Sequence, residues 1–386
     1  VIQRSFRYRL YPTKEQAETL AQFAGVTRYV YNLALEQRHA FGRRNRPLNY
    51  STQGREVTEL RRTVDWIGAV PSSALTQALR DLDKAFAAFF AGRARYPQPR
   101  KKGLNDAFRC QFKAMAVRQI NRRWGEVRVP NLGWVKYRNT RDARGVIQNA
   151  TFSRTALGWF VSFASVIEHE AAPSALPTVG IDRGIANTLA LSTGELLSTP
   201  DLSHLERRKK RAQRILARRV RGSNRYRKQR RRLGRITAKI ARCRADWRHK
   251  ATLDIAQRFG TVALEDLRIV NMTASGKGKR GLNRSILEQG WGAFERVLSY
   301  KLEERGGTLV KVSAAYTSQQ CSTCGTIDKV SRKSQSSFAC RHCGFTAHAD
   351  HNAAINIQRR SAPLLPVEAS RWGADEAGTI NHAIAA

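Results

Sequence analysis

Four cysteines place the tightest constraint on this chain. Cys321 and Cys324 form one C-x2-C pair, and Cys340 and Cys343 form a second after a gap of fifteen residues. Paired knuckles at this spacing present four thiolates from two turns, the ligand set of a tetrahedral Zn2+ site. A closed four-thiolate site is structural, so it fixes a local ribbon and says little about activity. His342 and His348 lie nearby as rival ligands, but four cysteines already fill the coordination shell. Cys110 and Cys243 stand alone and read as small apolar residues. The start, "VIQRSFRYRLYP", alternates in polarity and has no apolar signal segment. Metal binding is therefore expected in place of disulfides, and a cytoplasmic location with it.

Charge narrows the partner. Lysine and arginine number 69 against 30 acids, a formal net charge of +39. Such an excess repels itself unless anions neutralise it, and nucleic acid is the polyanion that does so through phosphate contacts. An anionic membrane is the rival, but no apolar run reaches the ~18 residues of a spanning helix. Charge alone leaves a binder without chemistry and a nucleic-acid enzyme both open.

The 386 residues allow two or three modules with real cores. Ile2, Arg4, Phe6, Tyr8 and Leu10 alternate as a strand over 2–10, stopped by Pro12. "TKEQ" (13–16) fits a capping box and opens an amphipathic helix to about 39. Leu75, Leu79, Leu82, Phe86 and Phe89 make one buried helical stripe. "GRARYPQPRKKG" (92–103) breaks it, as a solvated linker or a phosphate-contacting loop. From 107 to 169 the pattern turns to strands, so a helical insert interrupts a β-module that begins at residue 2. After a linker at 168–177, "TVGIDRG" and "IANTLALSTG" suggest a β-hairpin with Asp182 ending its first strand. Residues 206–250 carry 21 basic residues and two acids, yet Leu233, Ile236, Ile240, Cys243 and Trp247 recur as a helical seam. This predicts a basic helical hairpin divided by "GSN" (222–224). "TVALEDL" (261–267) is a strand ending in Glu265, and "ASGKGKRG" (274–281) a flexible basic loop. "SILE" (285–288) reads as a capping box that opens a helix carrying Leu287, Trp291, Phe294, Leu298 and Leu302. The tail after about 361 has little pattern.

Asp182 and Glu265 both end short apolar strands, and Asp350 starts the helix-like "ADHNAAINIQRR". They lie 83 and 85 residues apart, so any meeting is tertiary. Taken singly, each has an ordinary reading: turn chemistry for Asp182, a solvated strand end for Glu265, an N-cap or first-turn acid for Asp350. Together they suit phosphodiester cleavage, in which two divalent ions ~3.5–4 Å apart activate water and neutralise oxygen charge. Mg2+ takes such hard oxygen ligands.

"VGIDRGIANTLALSTG", "VALEDL" and "CSTCGTIDKVSRKSQSSFACRHCGFTAHADHNAAINI" together resemble the TnpB family, insertion-sequence-encoded RNA-guided DNA endonucleases related to type V CRISPR effectors. The N-terminal "LYPTKEQAETLAQFAGVTRYVYNLAL", with "ALTQALRDLDKAFAAFF" and "AYTSQQCS", extends the resemblance in order over nearly the whole chain. The resemblance implies an α+β multidomain protein with a RuvC nuclease domain of RNase H-like fold at 176–316 and 346–360, including the basic hairpin at about 204–250. A zinc ribbon would occupy 317–345, with Cys321, Cys324, Cys340 and Cys343 as Zn2+ ligands. A wedge β-barrel would comprise 1–10 and 104–175, with a helical recognition domain at 11–103 and a tail at 361–386. The catalytic acids, holding Mg2+ or Mn2+, would be Asp182, Glu265 and Asp350. Arg332 matches a ribbon arginine of the family and is assigned as a nucleic-acid contact near the site. The partners implied are a guide RNA and double-stranded target DNA, one chain per guide, in a prokaryotic cytoplasm or on its nucleoid. Many relatives carry an acid where this chain has His348. The alternatives are a compact type V CRISPR effector with the same site and an RNA-guided DNA binder that does not cut, as in members that have lost catalytic acids.

Overall fold

A computed structural model of the chain describes residues 1–41, 48–111, 116–274 and 278–362. These divide into two compact units, residues 1–169 and 170–362.

The first unit is a seven-stranded antiparallel sheet covered by helices. Strand β1 (Ile2–Tyr11) buries Ile2, Tyr8 and Leu10, two of its alternating apolar positions and its start. After Pro12 and Thr13 the chain enters α1 (Lys14–Phe41). Its capping box is reciprocal: the Gln16 N–H donates to Thr13 Oγ1 at 3.2 Å, and the Thr13 N–H donates to Gln16 Oε1 at 3.1 Å. Two shorter helices follow, α2 (Tyr50–Thr63), capped by Asn49, and α3 (Asp65–Gly68). Helix α4 (Ser72–Phe90) buries the Leu75, Leu79, Leu82, Phe86 stripe, while Phe89 stays partly exposed.

The strands are β2 (Ala107–Gln111), β3 (Val117–Asn121), β4 (Trp124–Val129), β5 (Gly133–Arg138), β6 (Val146–Thr155) and β7 (Gly158–Ile167). Their order is β2-β6-β7-β1-β5-β4-β3. Strand β1 pairs with β7 along residues 2–9 and with β5 at Leu10 and Tyr11, so one strand serves both halves of the sheet. Closing this sheet into a barrel requires β2 to pair with β3, and among the described residues they do not pair. One core holds both layers: Leu20, Leu75 and Leu79 from the helices lie with Phe108, Phe152 and Phe163 from the strands. The 92–103 segment is largely exposed but anchored at points. Arg100 lies 3.9 Å over the Tyr31 ring and pairs with Asp81 at 3.1 Å, so this arginine anchors the segment to the helices.

The second unit is built on a mixed five-stranded sheet. Strands β8 (Thr178–Asp182), β9 (Leu189–Leu191) and β10 (Leu196–Leu197) form an antiparallel meander, with β8 and β9 as the expected hairpin. Strand β11 (Thr261–Glu265) lies parallel to β8 on one side and to β12 (Thr308–Val312) on the other. The Leu264–Ile181 pairing carries Glu265 to the side of Asp182, at the same end of adjacent parallel strands. The basic hairpin is α5 (Ser203–Ala217) and α6 (Asn224–Arg258), with Ser223 capping the second arm. Its seam is real: Ile236 and Ile240 cluster with Leu205 and Ala212, and Trp247 packs into the core of the sheet.

The next segment departs from the expectation. Helix α7 (Ile269–Met272) is a single turn, followed by α8 (Arg280–Gln289) and α9 (Trp291–Glu303). Ser285 does not cap a helix; its hydroxyl donates to the Gly281 carbonyl at 3.2 Å within α8. The break falls at Gly290, whose φ of 66° only glycine takes readily, and α9 starts there. Leu287 is accordingly exposed and Ile286 is the buried residue. Arg280 and Gly281, read as loop, open α8. Beyond β12 come the short strands β13 (Phe338–Ala339) and β14 (Thr346–Ala347), paired antiparallel, and helix α10 (Ala349–Ser361). The expected tail lies outside the described residues apart from the end of this helix.

Candidate active site

Helix α10 reaches the sheet because β8 carries a glycine where they cross. A Cβ on Gly180 would stand 2.1 Å from the Ala354 carbonyl oxygen. The bare backbone lets Ala353, Ala354 and Ile357 pack down with at most 1% exposure. That approach brings the first turn of α10, and Asp350 with it, to the strand ends holding Asp182 and Glu265. All three acids line one cleft of about 240 Å3, together with the 183–186 turn, Thr317 and Arg332.

The cleft is electrostatically tense. Glu265 and Asp350 are buried at 8% and 7% exposure. Desolvation, with Glu265 and Asp350 adding repulsion, pushes the Asp182 carboxyl up to about 7. Desolvation also raises Glu265, against the Thr317 hydroxyl that donates to its carboxylate and the nearby Arg183. Asp350 accepts from Asn187 Nδ2 at 3.3 Å and stands 3.6 Å from the Arg332 guanidinium, which arrives from the cysteine segment. Asp182 has no ion-pair partner among the described residues, in a chain with 69 lysines and arginines. A desolvated carboxylate left unpaired amid such an excess of cations fits a group reserved for a cation from outside. Hard carboxylate oxygens suit Mg2+ or Mn2+. Only the four thiols bring their ligand atoms mutually within 4.8 Å among the described residues. As they stand, the three acids do not all come within reach of a single ion at ~2.1 Å.

The four cysteines converge as their spacing predicts. Cys321 and Cys343 Sγ atoms lie 3.7 Å apart, and those of Cys324 and Cys340 3.6 Å apart. Four sulfurs at ~2.3 Å from one ion in a tetrahedron stand ~3.8 Å apart, so the cage fits zinc. It is too wide for disulfides at ~2.05 Å. His348 is not a ligand here. It caps α10, its Nδ1 accepting the Asp350 N–H at 3.3 Å, the task an acid performs equally well at that position.

Several residues of the site escaped the sequence reading. Arg183, which follows Asp182 in the turn, is 5% exposed; it donates to the Glu265 carbonyl and pairs with Glu295 at 3.3 Å. Asn352 is fully buried: it accepts the Ser322 N–H at 2.8 Å and donates to the Gln320 carbonyl at 2.7 Å. Asn356 donates to the Thr317 and Gln320 carbonyls at 3.0 and 2.7 Å. These bonds tie α10 to the segment bearing Thr317 and the first cysteine pair. The available signal was two asparagines, four apart, on the apolar face of an alanine-rich helix.

Comparison with known proteins fits these features. A "Cas12f1-like, TNB domain" family matches residues 291–357, a "Probable transposase" family residues 163–276, and a "Helix-turn-helix domain" of the same transposase group residues 2–45. The described part of that last span forms one strand and one long helix. The chain is 38% identical to "Putative RNA-guided DNA endonuclease InsQ" of Escherichia coli K12, over 92% of this chain and 91% of that protein. It is 33% identical to a "Putative RNA-guided DNA endonuclease" of Streptomyces pristinaespiralis, over 92% and 89%. Among solved structures it resembles Cas12f1 in a complex with guide RNA and target DNA, at TM-score 0.59 and 17% identity, covering 90% of this chain and 83% of that one. A mini RNA-guided endonuclease, Cas-phi3, matches at TM-score 0.52 and 10% identity, covering 93% and 92%.

Proposed function

The chain belongs to the TnpB family of RNA-guided DNA endonucleases, and from that premise we propose that it is itself a guide-RNA-directed enzyme that hydrolyses DNA phosphodiester bonds. The observation that carries this reading is the cleft in which Asp182, Glu265 and Asp350 meet, with burial raising Asp182 and Glu265 and only Asp350 in an ion pair, with Arg332. A non-cleaving binder has no use for three such acids. A compact type V effector would use them in the same way and is not favoured by any further feature.

In this reading Asp182, Glu265 and Asp350 hold Mg2+ or Mn2+. Divalent ions held there would activate a water and neutralise charge on the attacking and leaving oxygens. Thr317 fixes one oxygen of Glu265 and leaves the other free to ligate. Arg183 holds the end of β11 through the Glu265 carbonyl. Arg332 neutralises Asp350 until the cleft is loaded and is placed to meet a phosphate. The cysteines hold Zn2+ and so fix the cleft walls on which Arg332 and Thr317 stand.

The remaining assignments belong to the same proposal. Residues 176–316 and 346–360 act as the RuvC nuclease domain, whose mixed sheet suits an RNase H-like fold. Residues 317–345 form the ribbon, 1–10 and 104–175 the wedge, and 11–103 the recognition helices. One chain binds one guide RNA and a double-stranded DNA target read by base pairing and a short flanking motif, inside the cell. None of its described helices is long and apolar enough to cross a membrane. The test is direct: RNA that copurifies with the protein is sequenced, and the complex is given a matching duplex with Mg2+. Breaks in the matched duplex alone are expected; retention without breaks contradicts the enzyme reading.

A further inference from the structure

Tyr316 is the most anomalous residue beside the cleft. Its φ is 62°, in the left-handed region. Asn131 also lies there among the described non-glycine residues, but asparagine tolerates that region and a bulky aromatic does not. The conformation is enforced from both sides. Arg360 donates to the Ser313 and Ala315 carbonyls at 2.9 and 2.6 Å, and Asn356 donates to the Thr317 carbonyl at 3.0 Å. The Tyr316 carbonyl accepts the Gln319 and Gln320 N–H groups, both at 3.0 Å. Glycine or asparagine would meet all these bonds without strain, because they are made by the backbone.

The side chain therefore has to explain the residue, and it does no structural work. Tyr316 is 58% exposed and has no ring, cation or hydrogen-bond partner among the described residues. Its neighbours Ala314, Thr317 and Ser318 line the acidic cleft, and Thr317 holds Glu265. An unpartnered aromatic ring on a locked backbone beside a phosphodiester-cleaving cleft is a stacking platform in want of a base.

We propose that Tyr316 binds an unpaired base of the DNA strand entering the cleft, stacking on it so that the neighbouring phosphate is delivered to Asp182, Glu265 and Asp350. This deepens the proposed function and rests on it. Stacking is blind to base identity and requires a strand already opened, so the ligand is single-stranded nucleic acid in any sequence.

The test separates ring from backbone. Tyr316→Gly and Tyr316→Asn relieve the strained φ and are expected to melt no lower than wild type. Both should weaken binding of a short single-stranded DNA carrying 2-aminopurine, read in Ca2+ as loss of fluorescence quenching, by about 10- to 100-fold, the range for one base–aromatic stack. Tyr316→Phe should keep wild-type quenching, since the ring remains. With guide and matched duplex in Mg2+, the glycine variant should raise KM and the phenylalanine variant should not. Wild-type binding and quenching by the glycine and asparagine variants would overturn the assignment. Quenching does not depend on cutting. Its loss beside a wild-type complex that never cuts would fault the nuclease reading and leave the stacking site standing.

Discussion

Asp182 shows how much the cleft depends on a single proton. Its carboxyl, ordinarily near 3.8, is pushed up to about 7 by desolvation and by Glu265 and Asp350. A folded-state value above the unfolded one means the folded protein keeps a proton that the unfolded chain has lost. Stability contributed by this group is therefore undiminished below about pH 4, falls as pH rises to about 7, and stays low above that. In metal-free protein, Asp182→Asn should match wild type near the acid limit and exceed it in melting temperature increasingly towards neutral pH; parallel curves would contradict this. Thr317 permits a second prediction. Removing its hydroxyl in Thr317→Val strips a charge-assisted bond from buried Glu265, at about 1.5–3 kcal/mol. Cleavage should drop roughly tenfold or more, a factor of ten being ~1.4 kcal/mol of barrier, while RNA retention is unchanged. The places of the acids, two strand ends and a helix start, were legible in local pattern; that they belong together came only with the family resemblance, since each alone has an ordinary reading. Thr317 and Arg183 were not legible, because their importance comes from partners 52 and 82 residues away.

The crossing of α10 over β8 is the element that assembles the site. Gly180→Ala places a methyl 2.1 Å from the Ala354 carbonyl oxygen, so the helix must lift. Overpacking of this kind costs about 1–3 kcal/mol, and the lift should also reduce cleavage, measured by denaturant unfolding and a duplex-cutting assay. Asn352→Ala should cost about 1–3 kcal/mol, because it leaves the Ser322 N–H unpaired while the Gln320 carbonyl keeps its bond from Asn356. The hairpin of α5 and α6, the capping box at Thr13 and the β8–β9 hairpin follow from local pattern, since periodicity and caps act over a few residues. The helix around Leu287 was misread for the same reason. A 3.6-residue stripe runs on through Gly290, but that glycine turns left-handed and splits it into two helices, leaving Leu287 exposed. Sheet order was not legible, because pairing β8 with β11 across 78 intervening residues is settled by the shared core of Val179, Ile181, Val262 and Leu264.

At the scale of the molecule, a net charge of +39 surrounds a cleft of three acids. The excess predicts that affinity for RNA falls steeply and linearly in log salt, with a slope near −0.9 for each duplex phosphate neutralised. The four cysteines predict about one zinc per chain. Stripping it should loosen Arg332 and Thr317 along with the ribbon, so cleavage should be lost before RNA binding. The central claim is that Asp182, Glu265 and Asp350 are one catalytic site. Its most direct measurement is cleavage of a matched duplex in Mg2+ by Asp182→Ala, Glu265→Ala and Asp350→Ala, each loaded with the same guide RNA. Each single change is expected to abolish cutting while RNA and target DNA remain bound; cutting by all three variants at the wild-type rate would contradict the account.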